Sequence, residues 1–208
     1  MILTGQYDSS FTRRVGIALR LYGIAFEHRP WSVFGDADRL MELNPLGSVP
    51  TLVLDDGTVL CDSATILDHL DRMAGPDRAL VPRDGPARTE AMRVTAFATG
   101  LGDRLASLFY ERRLHDSVSP VLATRRERQI RATLAMLQAD RAGRKGPWWF
   151  GDRLGHADIA VTCALRHLRD SLPDLFGEED YPALSAHCRA MEAMPVFVEI
   201  SQPFIPPA

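Results

Sequence analysis

The sequence predicts a small α/β domain followed by a larger all-helical domain. Strand and helix signals alternate through residues 1–80, whereas the rest of the chain shows only the helical spacing of apolar residues. The chain has 208 residues, enough for one large or two small domains. The predicted limits are 1–76 for the α/β domain, 77–87 for a linker rich in proline, glycine and charge, and 88–208 for the helical domain.

The α/β part begins with a strand and a helix. Ile2–Thr4 is a short apolar strand candidate. Apolar residues then recur at helical spacing between Phe11 and Tyr22, and Gly23 is a helix stop. Residues 24–29 are a weaker candidate for a second strand.

A hairpin and a second helix complete the α/β part. The strands Thr51–Leu54 and Thr58–Cys61 flank the turn sequence Asp55-Asp56-Gly57. Asp62-Ser63 begins a helix that Gly75-Pro76 ends, and its apolar face carries Ile66, Leu67, Leu70 and Met73. This order of elements fits the thioredoxin-like arrangement, an α/β layer architecture.

Two apolar stripes and one capping element predict the helices of the second part. The stripes are Val94, Ala98, Leu101, Leu105, Leu108 and Arg112, and then Ile130, Leu134 and Leu137. The capping element is a helix start with Gly155 as N-cap and Asp158 three residues later. Leu154 and Ile159 are then placed as a hydrophobic staple, so this element concerns folding and not chemistry.

Composition excludes several classes of function. The chain is 46% hydrophobic and 25% charged, as in ordinary globular proteins, and its net charge of -3 argues against nucleic acid or an anionic membrane as the main partner. No apolar run has the length of a membrane span and the start lacks a basic n-region, so we expect a cytoplasmic protein. Cys61, Cys163 and Cys188 are far apart, which predicts reduced thiols and no metal site.

Two segments suggest a binding site for an extended peptide. The loop Asn44-Pro45-Leu46-Gly47-Ser48-Val49-Pro50 places Val49-Pro50 at the start of a strand. Proline cannot donate a hydrogen bond to a neighbouring strand, so backbone groups at this point stay available to a bound peptide. Asp62-Ser63 places an acid and a hydroxyl at a helix N-terminus, which suits a carboxylate ligand. Alternatively, each is an ordinary feature: a trans proline that begins an edge strand, and a cap on a surface helix.

The segment Asp8-Ser9-Ser10-Phe11-Thr12-Arg13-Arg14-Val15 resembles the Ser-x-x-x-Arg-x-Val segment of serine-type glutathione transferases, including the zeta class and several bacterial groups. The resemblance implies that Ser9 donates a hydrogen bond to the glutathione sulfur, with Ser10 as the alternative after a one-residue slip. An ordinary N-cap is the other interpretation of Ser9. Tyr7 lies where other classes carry a catalytic tyrosine, but we expect a loop or pocket-wall aromatic there.

The resemblance also implies how glutathione is held. Val49-Pro50 is expected to be cis and to pair with the cysteinyl backbone, while Asp62 and Ser63 bind the ammonium and carboxylate of the γ-glutamyl group. Ser48, which stands where many relatives have Lys or Gln, is also expected to bind the cofactor, as is Phe11. Arg39 is a candidate for the glycine carboxylate. The residues that could line an electrophile pocket between the domains, or equally be core, are Phe11, Trp31, Phe34, Phe109 and Tyr110.

The function that the resemblance implies is conjugation of the glutathione thiolate to a small hydrophobic electrophile, as in detoxification, by a homodimer. Two alternatives stay open. One is another glutathione-dependent reaction on the same site: isomerisation, dehalogenation or disulfide reduction. The other is a non-catalytic binding module with the same fold. No cysteine stands at position 9, which argues against thiol exchange.

Overall fold

A computed structural model of the chain describes residues 1–207. In chain order the elements are β1 (Ile2–Thr4), α1 (Ser10–Tyr22), β2 (Glu27–Arg29), α2 (Ala37–Leu43), β3 (Thr51–Val53), β4 (Val59–Cys61), α3 (Ser63–Ala74), α4 (Gly85–Leu114), α5 (Pro120–Ala142), α6 (His156–Ser171), a 3₁₀ turn (Pro173–Leu175), α7 (Pro182–Glu192) and α8 (Pro195–Glu199). The predicted fold class, a thioredoxin-like α/β domain followed by helices, is confirmed.

The strands form one mixed sheet in the order β2-β1-β3-β4. β1 pairs with β2 in parallel and with β3 antiparallel, and β3 pairs antiparallel with β4 as the predicted hairpin. Leu3 and Leu52 lie opposite each other in the register and are fully buried. α1 and α3 pack together over them with apolar residues such as Val15 and Ile66, so the apolar stripes of both helices reach one core.

The helical unit has a separate core. α4 packs against α5 and α6, and α7 packs against α5 and α6. The predicted stripes supply the buried positions, including Leu101, Leu105 and Leu134. Gly155 is the N-cap of α6, and the Asp158 Oδ2 accepts a hydrogen bond from its N–H at 2.9 Å. The predicted N-cap is therefore confirmed. Because glycine has no side chain that could accept a hydrogen bond from the Asp158 N–H, only one of the two hydrogen bonds of a capping box is formed.

Two features, α2 and Met73, differ from the sequence prediction. α2 was not predicted, because a short helix with only Leu40 buried shows no apolar period. Met73 was placed on the apolar face of α3 but is 51% exposed, and it lies in the last turn of that helix. The chain divides into units at Asp84, and the segment from Met194 onward groups with the α/β unit because α8 packs on α1. The limits 1–76 and 88–208 stay a prediction about folding domains.

Candidate functional site

The three predicted motifs leave the sheet at the same edge. Thr4 at the end of β1 lies opposite Thr51 at the start of β3, and Thr51 lies opposite Cys61 at the end of β4. The chain therefore enters or leaves this edge next to Ser9, at Val49-Pro50 and at Asp62-Ser63. Because β3 lies between β1 and β4, the Val49-Pro50 segment has a helix N-terminus on either side of it.

Ser9 is the N-cap of α1, and Ser10 is the first residue of that helix. The Ser9 backbone is extended (φ -70°, ψ 120°), and its Oγ accepts a hydrogen bond from the Thr12 N–H at 3.4 Å. Accepting this bond uses a lone pair, so the hydroxyl proton can be donated elsewhere. Ser9 is partly exposed, whereas Ser10 is buried. The exposure favours Ser9 over Ser10 as a donor to a ligand.

The Val49-Pro50 peptide bond is cis, as expected. In the part of the chain that the structure describes, the Val49 N–H and C=O have no hydrogen-bond partner, so both are open to an extended peptide. Gly5 (φ 129°) lies under this segment: a Cβ on it would stand 2.8 Å from the Val49 Cβ and 2.5 Å from the Thr12 Oγ1. Glycine is therefore required where the loop after β1, the head of α1 and Val49 meet.

A buried asparagine holds the loop that carries Val49-Pro50. The Asn44 Nδ2 lies 3.3 Å from the Ser48 carbonyl oxygen and 3.1 Å from the Thr51 Oγ1, and its Oδ1 accepts from the Leu46 N–H at 3.0 Å. Sequence reasoning did not assign Asn44 a role. Its signal is the Asn-Pro dipeptide, since asparagine before proline commonly starts a turn by bonding to the backbone two residues on.

Asp62 and Ser63 form the head of α3. The Asp62 Oδ1 caps the helix by accepting from the Ala64 N–H at 2.6 Å, and its backbone has a positive φ (φ 71°, ψ 128°). Such a conformation costs a non-glycine residue about 1–3 kcal/mol and is typical of functional sites. Ser63 is 4% exposed, and the first amides of a helix have no partner within it. This helix end can bind a carboxylate, with the exposed Asp62 carboxylate near it for a cation.

The Tyr7 side chain packs against β2 and α1. Its ring stacks on the His28 imidazole with centroids 3.9 Å apart, and a Cβ on Gly16 of α1 would stand 2.9 Å from its ring. Burial raises the pKa of the Tyr7 phenol to about 12, so the phenol stays protonated at neutral pH. The His28 Nε2 donates to the Gly5 carbonyl at 2.8 Å, which assigns the ring proton to Nε2. Tyr7 is thus part of the packing behind the loop that leads to Ser9.

The remaining candidates are distributed over both units. The Arg39 side chain is 68% exposed, lies 3.5 Å from the Asp36 carboxylate and stacks over the Trp31 ring at 5.9 Å. The Ser48 Oγ is 3.3 Å from the Asn44 amide, and Phe11 is partly buried at the head of α1. Phe34 is exposed between β2 and α2. Phe109 and Tyr110 lie on α4, where their rings contact each other at 5.6 Å.

No metal centre is found among residues 1–207: they contain no group of three or more His, Cys, Asp or Glu side chains placed to share an ion. All three cysteines are free thiols, and burial raises the pKa of the Cys188 thiol to about 12. In the same range of residues, none of the helices combines the length and the apolar character that crossing a bilayer requires.

Comparison with known protein families gives two matches. A family model for the "Glutathione S-transferase, N-terminal domain" matches residues 3–78, and one for the "Glutathione S-transferase, C-terminal domain" matches residues 120–190. A Zea mays protein named "Probable glutathione S-transferase BZ2" is 32% identical over 184 residues, covering 81% of this chain and 75% of the maize protein. A Drosophila melanogaster protein named "Probable maleylacetoacetate isomerase 1" is 27% identical over 215 residues, covering 99% of this chain and 84% of the fly protein.

Solved structures agree with these matches. The crystal structure of a glutathione S-transferase from Methylobacterium radiotolerans superposes on this chain with a TM-score of 0.90 at 28% identity, covering 100% of this chain and 98% of the other. That protein was crystallised in complex with glutathione sulfonate.

Proposed function

The chain belongs to the glutathione S-transferase family, and we propose that it catalyses attack of the glutathione thiolate on a small hydrophobic electrophile. The observation that carries the proposal is the meeting of Ser9, Val49-Pro50 and Asp62-Ser63 at one edge of the sheet. A tripeptide extended across this edge has its γ-glutamyl end at the head of α3 and its cysteine beside Val49. Its sulfur then lies toward the head of α1.

Ser9 acts as the hydrogen-bond donor to the sulfur. A free thiol has a pKa of about 8.5 and is only a few per cent ionised at neutral pH. A hydrogen bond to an ionised group contributes about 1.5–3 kcal/mol, and a helix N-terminus adds roughly 0.3–1 kcal/mol. At about 1.36 kcal/mol per pKa unit, the two lower the thiol pKa by roughly one to three units. Thiolate then becomes a major species without a general base.

The other contacts position the tripeptide. The open Val49 backbone pairs with the cysteinyl backbone, and the Ser63 hydroxyl and N–H bind the γ-glutamyl carboxylate at the positive end of α3. Asp62 binds the ammonium group, and the exposed Arg39 binds the glycine carboxylate. Positioning and thiolate stabilisation together account for the rate enhancement.

The electrophile site is proposed from aromatic side chains. Phe11, Trp31 and Phe34 of the α/β unit offer apolar faces for an uncharged ring or chain, and Phe109 and Tyr110 are the candidates within the helical unit. Homodimer formation and a cytoplasmic location belong to the same proposal. A second candidate reaction is isomerisation of a double bond by reversible addition of the thiolate. It is supported by the similarity to the fly protein, which is named a probable maleylacetoacetate isomerase. Both reactions use the same thiolate.

Matched serine variants test the role of Ser9. Ser119 caps α5 with nearly the same geometry as Ser9 (φ -67°, ψ 114°, Oγ 3.4 Å from the Leu122 N–H), so Ser119→Ala loses an equivalent cap of about 1 kcal/mol away from the site. We expect Ser9→Ala to lose about tenfold or more in kcat with glutathione still bound, while Ser119→Ala keeps the parent kcat.

Each variant is assayed with three test compounds: chlorodinitrobenzene for conjugation, a disulfide for reduction and maleylacetoacetate for isomerisation. A parent protein that binds glutathione and turns over none of them would be a binding module. Equal losses in both serine variants would show that Ser9 is only a cap. A larger loss of kcat in Ser10→Ala than in Ser9→Ala would identify Ser10 as the donor instead of Ser9.

A further inference from the structure

The segment near the C-terminus returns to the residues around Ser9. We call residues 197–205 the C-terminal strap. The Tyr7 N–H donates to the Gln202 Oε1 at 2.7 Å, and the Ile205 N–H donates to the Asp8 carboxylate at 3.0 Å. Tyr7 and Asp8 are the two residues directly before Ser9. The strap is therefore bonded to the backbone and side chain of the loop that leads to the thiolate donor.

A buried arginine holds the other end of the strap on α1. The Arg13 side chain is 2% exposed, and its Nε and Nη2 donate to the carbonyl oxygens of Ile200 at 2.8 Å and Phe197 at 2.9 Å. These carbonyls lie at the C-terminal end of α8, where a helix leaves acceptors unpaired and the dipole is negative. The Arg13 N–H also bonds to the Ser9 carbonyl at 2.9 Å, so this residue joins the strap to the first turn of α1.

Close packing fills the space between these two anchors. A Cβ on Gly16 would stand 2.9 Å from both the Ile200 Cγ2 and the Tyr7 Cε1. The strap, the loop and α1 therefore touch without spare volume at this point. The Tyr7 ring also stacks on the His28 ring, which restricts its position further. Ile200 of the strap and Tyr7 of the loop thus pack against the same residue of α1, and Gln202 bonds to Tyr7 next to this point.

We propose that Gln202 is a positioning residue for Ser9. Its Oε1 accepts from the Tyr7 N–H at 2.7 Å, whereas the bond within the loop between β1 and α1, from the Ser9 N–H to the Gln6 carbonyl, is longer at 3.2 Å. Gln202 touches neither glutathione nor the reacting sulfur in this role. It fixes the direction of the Ser9 hydroxyl, and a displacement of about 1 Å in such a group can cost a hundredfold in rate. This inference rests on the proposed function.

Two substitutions at position 202 separate the hydrogen bond from packing. Gln202→Leu keeps the size of the side chain and removes the acceptor, whereas Gln202→Glu keeps an acceptor oxygen. We expect Gln202→Leu to raise the pKa of the bound glutathione thiol by about one unit and to lower kcat about tenfold, with the KM for glutathione changed less than about twofold. Gln202→Glu should restore both values to within about twofold of the parent.

The matched control is Ser201→Ala, which removes an exposed hydroxyl that bonds to the Val198 carbonyl. Hydrogen exchange at residues 5–13 is measured in every variant without glutathione, and thermal unfolding is followed to detect a general loss of structure. The inference predicts faster exchange in this segment for Gln202→Leu alone. Unchanged exchange and thiol pKa in Gln202→Leu would overturn it, as would equal effects in Gln202→Leu and Gln202→Glu.

The result also distinguishes this inference from the proposed function. If the parent protein lowers the thiol pKa of glutathione and Gln202→Leu lowers it equally, only the role of Gln202 is refuted. If the parent protein leaves that pKa at its value in buffer, the proposed function is refuted and the role of Gln202 with it. Faster exchange with an unchanged thiol pKa would make the strap purely structural and would also refute the positioning role.

Discussion

Replacing Asp158 by alanine should strongly destabilise the helical unit. The Asp158 carboxylate is 1% exposed and accepts hydrogen bonds from the Trp149 N–H at 2.7 Å and the Gly155 N–H at 2.9 Å. The His187 Nε2 is 3.3 Å from its Oδ1, although the two atoms are out of hydrogen-bond alignment. The Arg141 Nε donates to the His187 Nδ1 at 3.2 Å, so Nδ1 is the acceptor and the ring carries a proton on Nε2.

The expected loss follows from these contacts. A hydrogen bond to a charged group contributes about 1.5–3 kcal/mol, and alanine leaves two backbone N–H groups without their acceptor. The sum is about 3–6 kcal/mol in the free energy of unfolding. Asp158→Asn keeps one acceptor oxygen and should lose about 2–3 kcal/mol, because its NH₂ group faces a donor. Domains are stable by only about 5–15 kcal/mol, so alanine at this position removes a large fraction.

Urea unfolding followed by circular dichroism measures the loss. The control is Asp116→Ala, since Asp116 is exposed between α4 and α5, and this variant should change the free energy of unfolding by less than about 0.5 kcal/mol. A loss below about 1 kcal/mol in Asp158→Ala would refute the assignment of both hydrogen bonds to folding. So would equal losses in the Asp158 and Asp116 variants.

Further predictions concern the α/β unit. Because the Tyr7 phenol has a pKa of about 12 when folded, stability should fall as the pH rises from about 10 to about 12, and Tyr7→Phe should lack this part of the fall in alkaline urea titrations. Asp62→Gly relieves the strain of the positive φ, so its free energy of unfolding in urea should exceed that of Asp62→Ala by about 1 kcal/mol. In calorimetry, both variants should bind glutathione about tenfold more weakly than the parent protein. Asn44→Ala should lose about 2 kcal/mol of unfolding free energy and also bind glutathione less tightly; unchanged binding would contradict the support of Val49-Pro50 by Asn44.

Elements of both units could be predicted from the sequence where the signals are local. The apolar period of α1, the Asp-Asp-Gly turn and the caps of α3 and α6 depend on residues a few positions apart, and the structure has each of them. α2 was missed because one buried leucine makes no period. Met73 was misplaced because helical spacing does not tell which turns of a helix are covered.

Long-range contacts explain what the sequence could not predict at the site. Ser9, Val49-Pro50 and Asp62-Ser63 were found through a resemblance, and the strand register that brings them to one edge follows from pairing between distant segments. The hydrogen bond from Tyr7 to Gln202 spans 195 positions, and no local pattern marks it. Arg13 fits an arginine position of the family segment, but its carbonyl partners lie at the other end of the chain.

The most direct test of the central claim is the ultraviolet titration of glutathione bound to the parent protein and to Ser9→Ala. In the parent the thiol should ionise roughly one to three pKa units below its value in buffer, and in Ser9→Ala at least about one unit higher than in the parent, with similar glutathione affinity. The same thiol pKa in the parent, in Ser9→Ala and in buffer would contradict the claim that a serine hydroxyl at the head of α1 holds the sulfur as an anion.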